Sequence, residues 1–525
     1  MILLALLLVP FAGGVLAWAA ETVSPLAVRW TALCAAALEL VVAAVAWFAY
    51  PAPAAGWPPW VAQFQAEWVP QLGISFHLAA DGLSLALIAL TGFLGVAGVV
   101  ASWREITQRV GLFHFQLLWA LAGVTGVFLA ADLFLLYFMW ELMLVPMYFL
   151  IALWGHEDRR RAAMKFFLFT QAGGLLMLIA IASLYVAHGR RTGVYTFEYS
   201  ALLGSPAALG ASVWLALGFV AAFAVKLPAV PLHPWLPDAH TQAPTAGSIV
   251  LAGLLLKSGA YGFLRFVLPL FPAASAEIAP YALWAGAAGT VYGAFLAFPQ
   301  RDLKRFVAYT SVSHMGYVLI GAFAGSRLAL TGAALEMLCH GLSTGALFMI
   351  AGALMDRTGT RDMGRLGGLL AALPRMNAWT TAFVLASIGL PGLGNFVAEF
   401  LVLAGVFSVS PAVAAVGAAA MIASMVYGVW LLYDVFQGPA PVAGDADASR
   451  LPDLRGPEAA VLAVMTAGLV WLGVYPQPAV SAIEAGVGPP DVPVAAAPAR
   501  AARTAAERAE APAGVPGGAR ERAPR

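Results

Sequence analysis

Residues 139–154 read MWELMLVPMYFLIALW, sixteen positions with a single charge, Glu141. About 20 residues of this kind, wound as a helix, cross the ~30 Å hydrocarbon layer of a bilayer. A charge at that depth costs at least ~2.5–3.5 kcal/mol to insert. The acid therefore needs a partner or a task.

The rest of the chain has the same character. Of 525 residues 61% are hydrophobic and 10% charged, and the mean hydropathy is +0.84. No soluble fold hides so much apolar surface. The expected class is an all-α polytopic membrane protein in contact with the lipid bilayer. A net charge of +1 gives no basic excess that would point to a nucleic-acid partner. Cys34 and Cys339 both lie in apolar runs and read as packing thiols, not as a disulfide. Ala17-Trp18-Ala19 resembles a signal-cleavage site, but no Lys or Arg precedes Arg29, so the first twenty residues read as a membrane helix.

Apolar runs between polar or Pro/Gly breaks predict about fourteen transmembrane helices, near 1–20, 28–49, 80–102, 111–131, 133–154, 163–187, 211–227, 243–266, 279–298, 305–325, 328–354, 377–408, 411–434 and 458–476. They group as N-terminal helices 1–3 (1–110), a five-helix unit (111–267), a second five-helix unit (279–434), a loop with the last helix (435–477), and a Pro/Ala-rich tail (478–525) expected to be disordered. Sixteen Lys and Arg fall in alternate loops expected on the inner side. Four, Arg190, Arg191, Arg265 and Arg327, fall in the others. That asymmetry predicts an even helix count with both termini outside.

Two spans carry Leu-Pro in their middle: FAVKLPAVP around Lys226 and ASIGLPGLG around Pro391. Proline removes a helical hydrogen bond and clashes with the preceding turn. The freed carbonyls are those of Ala224 and Ser387. Two interrupted helices in corresponding places suggest duplicated halves. Five helices is an odd number, so the second copy starts from the opposite face, which makes the repeats inverted.

The deep charges cluster near one depth. Glu141 lies ~13 Å down the fifth span at 1.5 Å per residue. Lys226 ends the first half of the seventh, Lys257 is mid-way along the eighth, His340 mid-way along the eleventh, and Glu399 follows the break in the twelfth. Lys226 at a helix C-terminus and Glu399 near a helix N-terminus both suit the local dipole. Charges of opposite sign on neighbouring helices, with a Lys governed by a movable acid, form a proton switch. Glu39 and His314 read equally as satisfied helix–helix contacts, and Glu336 more so than as part of a path, since it can face a subunit contact or an aqueous entrance. His233 and His240, in PLHPWLPDAHTQAPTAGS, admit a metal site, but an interfacial loop held by Pro and by histidine hydrogen bonds is the preferred reading. No P-loop, dinucleotide fingerprint, HExxH or CxxC cluster occurs in the right context, and nothing suggests a flavin, haem or iron–sulfur site.

Several stretches together resemble a known family. WELMLVPMYFLIALWG (140–155), KLPAVPLHPWLPDAHTQAPTAGS (226–248), LLLKSGAYG (254–262), DLKRFVAYTSVSHMGY (302–317) and GLPGLGNFVAEF (389–400) are similar to the antiporter-like membrane subunits of respiratory NADH:quinone oxidoreductase, complex I. WELMLVPMYFLI and Glu399, where sister subunits usually carry lysine, resemble its subunit M branch. The resemblance covers nearly all of the chain except the tail. It implies fourteen helices with two inverted five-helix repeats. It also implies that Glu141 and Lys226 match the family's Glu–Lys pair, Lys257 its central lysine, His340 its connecting histidine and Glu399 its exit-side residue, with His314, His233 and His240 as further candidates for the proton path. NADH, FMN, iron–sulfur clusters and quinone are then expected in partner subunits, with no cofactor or metal in this chain. The partners are other membrane subunits, sister antiporter-like ones included, in a bacterial inner membrane. Leu393, Ala398 and Pro234 depart from residues common in the family. A multi-subunit cation/proton antiporter is the alternative. An independent solute symporter ranks last, because the buried polar groups form a titratable row and not a substrate-shaped cavity.

Overall fold

A computed structural model describes residues 1–50, 58–205, 208, 210, 213–439 and 451–487. Helices dominate: α1 (Ile2–Ala19), α2 (Pro25–Ala49), α3 (Gly82–Glu105), α4 (Val110–Leu129), α5 (Leu133–Trp154) and α6 (Arg159–Thr192) come first. The interrupted seventh span is α7 (Val213–Lys226) followed by α8 (Trp235–Gln242). Then come α9 (Thr245–Leu270), α10 (Pro272–Ala297), α11 (Leu303–Phe323) and α12 (Arg327–Thr358). The second interrupted span is α13 (Pro374–Ser387) with α14 (Gly394–Phe407). The described chain ends in α15 (Pro411–Gln437), α16 (Gly456–Val474) and α17 (Gln477–Gly486). Among the described residues, eleven helices are long and apolar enough to cross a membrane. The chain is a helical, membrane-embedded protein.

Local chemistry fixes the helix starts. Asp132 accepts from Phe134 N and Leu135 N at 2.8 and 3.0 Å, Asp302 from Arg305 N at 3.0 Å, and Ser24 from Ala27 N at 3.1 Å with Pro25 next in line. α9 is the hub. Its most apolar stretch is wholly buried, and it packs on α3, α7 and α12. α12 in turn packs on α11 and α14. α1, α2, α6 and α15 keep broad exposed apolar faces, as lipid-facing helices do.

Between the second and third spans lies a short hairpin, in which β1 (Ala62–Val69) pairs antiparallel with β2 (Ile74–Ala80). Three expectations need correction. Residues 235–242 are a helix and not a loop. Arg265 is not a loop cation. It lies inside α9, 1% exposed, and pairs with Asp81. The tail begins later than expected. Ala479, Ile483 and Val487, spaced by four, are buried as α17 packs on α3 and α12. Gly486 permits this approach, since a Cβ there would meet Asp81 Oδ2 at 2.7 Å. Residues 488–525 lie outside the described residues.

Candidate functional site

Glu141 sits on α5 and faces Gln171 of α6 and Tyr137 of its own helix, with its Oε1 buried and without a hydrogen-bond partner. Gly174 makes the room: a Cβ at that position would run into Glu141 Oε1. Lys226, the last residue of α7, is fully buried. Its Nζ lies 5.0 Å from the Trp140 ring centroid and 5.7 Å from that of Phe166, and it has no hydrogen-bond partner. Among the described residues no N···O contact within 4.0 Å joins Glu141 to Lys226, so their interaction is electrostatic and not a direct ion pair.

The break after Lys226 is well satisfied. The carbonyl of Ala224, freed by Pro228, accepts from Ala229 N at 2.9 Å. The carbonyl of Val225 accepts from Trp235 Nε1 at 2.9 Å. α8 therefore packs back against the end of α7, and the irregular backbone is sheltered by protein.

Lys257 lies in the middle of α9 between two π-helical turns, Leu251–Leu255 and Phe263–Val267. Its Nζ donates to the carbonyl of Ala252 at 2.5 Å and meets His340 Nδ1 at 2.6 Å. An ammonium only donates, so while Lys257 is charged His340 Nδ1 must be the acceptor and the ring neutral. One proton is shared between the two.

The His340 ring is 5.6 Å, centroid to centroid, from His314 on α11. His314 Nδ1 is 2.9 Å from Glu399 Oε1, and its Nε2 is 3.1 Å from Ser387 Oγ. Glu336 Oε1 is 3.8 Å from His314 Nδ1 and accepts from Asn395 Nδ2 at 3.4 Å. His314, Glu336 and Glu399 offer donor atoms within 4.8 Å of one another. His314 Nδ1 and Glu399 Oε1 are at hydrogen-bond distance and can share a proton. Glu399 is the sixth residue of α14, beyond the first turn where the helix dipole acts. The histidine, not the dipole, holds it.

The structure thus brings Lys257, His340, His314 and Glu399 together. Glu141 and Lys226 stand apart as a second group. Glu336 is fully buried inside the His314 cluster, which rules out an exposed entrance or subunit contact. Glu39 is buried elsewhere, accepting from Thr125 Oγ1 at 2.7 Å. His240 makes no ring hydrogen bond. It stacks on Phe348 at 4.4 Å, fully buried, with both ring nitrogens unpartnered. His233 faces the Tyr292 ring at 5.3 Å and its Nδ1 is unpartnered. Among the described residues only the backbone carbonyls of these histidines take hydrogen bonds, from Leu236 N and Ser248 Oγ, so the expected histidine ring hydrogen bonds are not what holds this stretch. Phe348, Thr344 and His340 recur every fourth residue along one face of α12. Thr344 Oγ1 and His340 Nε2 are also unpartnered.

At the helix ends near α8, Lys165 and Arg305 hold Asp238 at 2.6 and 3.2 Å, beside a cavity of about 340 Å³. His156, in the α5–α6 loop, is pulled down to a pKa of about 4 by burial and by Lys304 and Arg361. It is neutral at physiological pH.

The family described as "NADH:quinone oxidoreductase/Mrp antiporter, TM" matches residues 130–425. The chain is 52% identical to NADH-quinone oxidoreductase subunit M of Pseudomonas aeruginosa, over 91% of this chain and 95% of that one. It is 49% identical to NADH-quinone oxidoreductase subunit M of Escherichia coli, over 92% and 96%. Its fold matches a chain of respiratory complex I from Thermus thermophilus with a TM-score of 0.80 and 31% identity, covering 93% of this chain and all of that one. Matched over more than half its length and to relatives along nearly all of it, the chain belongs to the NADH:quinone oxidoreductase/Mrp antiporter family of membrane subunits.

Proposed function

We propose that the chain is a proton-translocating membrane subunit of an NADH:quinone oxidoreductase. The carrying observation is the 2.6 Å contact of Lys257 with His340, continued through His314 to Glu399. Protons move along this row, and Glu141 sets the charge state of Lys226 from a distance. NADH, FMN, iron–sulfur clusters and quinone belong to partner subunits, so redox work done there drives the row here. The neighbours are other membrane subunits, including sister antiporter-like ones. The names of the relatives at 52% and 49% identity favour this reading over a free-standing cation/proton antiporter.

The same reading takes fourteen crossings in a bacterial inner membrane, with both termini outside. Two inverted repeats, helices four to eight and nine to thirteen, are supported by a shared detail. Asp132 precedes α5 and bridges to Glu198 after α6, while Asp302 precedes α11 and bridges to Asp362 after α12. Five crossings separate the two aspartates, which puts the matching bridges on opposite faces. Arg265 leaves the count of outer loop cations, and the charge asymmetry grows.

The test is Lys257→Gln in the assembled complex, reconstituted in vesicles, with quinone-linked NADH oxidation and vesicle acidification measured together. Both should collapse. A variant that assembles and pumps at the parent rate would remove Lys257 from the path.

A further inference from the structure

A cavity of about 370 Å³ opens between α2, α3, the end of α12 and the start of α16. None of Glu141, Lys226, Lys257, His340, His314 and Glu399 lines it. Its walls are of two kinds. Leu33, Val100 and Pro457 make an apolar floor, and Arg104, Arg455 and Asp356 make a charged rim.

The rim charges are uncommitted. Glu458, also on the rim, is spent: Arg357 Nη2 and the backbone N of Arg455 take its Oε2 at 2.6 and 2.8 Å. Arg104, Arg455 and Asp356 form no ion pair within 4.0 Å among the described residues, although Asp356 feels the charges of Arg357, Lys304 and Arg455. Two cations and one anion therefore face one space.

The cavity also sits where an interface belongs. Trp30 and Trp103 contact edge to face at 5.4 Å beside the arginines, and Trp30 is 53% exposed. Indoles paired with basic residues at helix ends mark the headgroup level of a bilayer. From Leu33 the surface of α2 continues through Ala37 to Val41 and Val45, one residue per turn, and the last two are more than half exposed. That is an apolar track leading from the cavity into the hydrocarbon.

We propose that this cavity seats the headgroup of a glycerophospholipid, preferentially phosphatidylethanolamine. Arg104 and Arg455 clamp the phosphodiester with charge-assisted hydrogen bonds. Asp356 takes the primary ammonium. The acyl chains run along Leu33, Ala37, Val41 and Val45. A headgroup with no amine, such as that of phosphatidylglycerol, keeps the clamp but leaves Asp356 unanswered. The quaternary amine of phosphatidylcholine offers no N–H to the carboxylate.

The experiment uses the assembled complex in nanodiscs carrying photoactivatable phosphatidylethanolamine, with phosphatidylglycerol and phosphatidylcholine probes in parallel. Labelled peptides of α2 and α3 are mapped by mass spectrometry. Phosphatidylethanolamine should label them most strongly. Arg104→Gln with Arg455→Gln should cut that labelling about tenfold, and Arg160→Gln, an exposed basic control, should leave it unchanged. Asp356→Asn should erase the preference for phosphatidylethanolamine over phosphatidylglycerol while phosphatidylglycerol labelling persists. Equal labelling by the three lipids in the parent complex overturns the proposal, as does a double variant that labels like the parent. So do crosslinks from these helices to a neighbouring subunit in place of lipid. Should the double variant fail to assemble, the lipid ratio in Asp356→Asn still decides.

Discussion

The two interrupted helices treat a buried charge in opposite ways. At the end of α7, Lys226 lies against the Trp140 and Phe166 rings with no hydrogen-bond partner. In the second turn of α14, Glu399 is tied to His314 at 2.9 Å, with Glu336 and Asn395 close by. A cation held by ring faces has no fixed proton acceptor, so its charge state follows the field of a remote acid such as Glu141. A carboxylate sharing a proton with a histidine follows the occupancy of that histidine. On the proposed function, one half senses charge and the other exchanges protons.

The strongest test of this contrast is Glu141→Gln, which keeps shape and removes the anion. Coupled pumping should fall on the order of 10², with Glu141→Asp intermediate, read as vesicle acidification at matched complex assembly. If the Gln variant pumps normally, Glu141 is a structural contact and the contrast fails. His314→Ala comes next. Losing a charge-assisted bond at Glu399 should cost about tenfold, and His314→Gln, which keeps a donor, should recover part of it. If Ala and Gln behave alike, hydrogen bonding is not what holds the second half. Trp140→Leu removes one ring face from Lys226 and should lower turnover less than tenfold, consistent with an interaction of ~1 kcal/mol. A loss as large as that of Glu141→Gln would mean that the rings, and not the acid, govern Lys226. The smallest effect on turnover belongs to truncation after Pro476. It removes α17 with its buried Ile483 and Val487, so thermal stability of the complex should drop while turnover of the assembled fraction stays near the parent value. An unchanged melting temperature would mean that α17 adds nothing.

Much of this was readable before any coordinates. Leu-Pro in an apolar run forces a break, and the breaks fall at Lys226 and before Gly394 as expected. Hydropathy picks out the long helices because lipid demands them. What sequence could not supply was the pairing of residues far apart in the chain. Arg265 looks like a loop cation until Asp81, 184 positions away, is placed beside it. Glu336 looks like a solitary acid until α11 and α14 bring His314 and Glu399 to it. Asn395, Ser387, Gln171 and Thr344 gave no signal, since a lone polar residue in a helix is common and only its neighbours give it meaning. The β1–β2 hairpin was missed although AQFQAEW and ISFHL alternate apolar and polar residues, because two short strands between long apolar spans were passed over as a connection. α8 was missed because three prolines within a few residues read as loop, although Pro234 and Pro237 sit where a short helix starts and tolerates them.

The wide turns of α9 bear on how chains of this kind can vary in length. A turn closed between residues five apart holds one residue more than an ordinary helical turn. Leu256–Gly262, the segment that carries Lys257, is bracketed by two of them. The wide turn at Leu251–Leu255 can absorb a one-residue deletion by closing to an ordinary turn, which leaves Lys257 and both ends of α9 in place. A gap at Leu256, between the wide turn and the lysine, has no such slack and would swing the Lys257 ammonium by ~100° relative to the start of α9, away from His340.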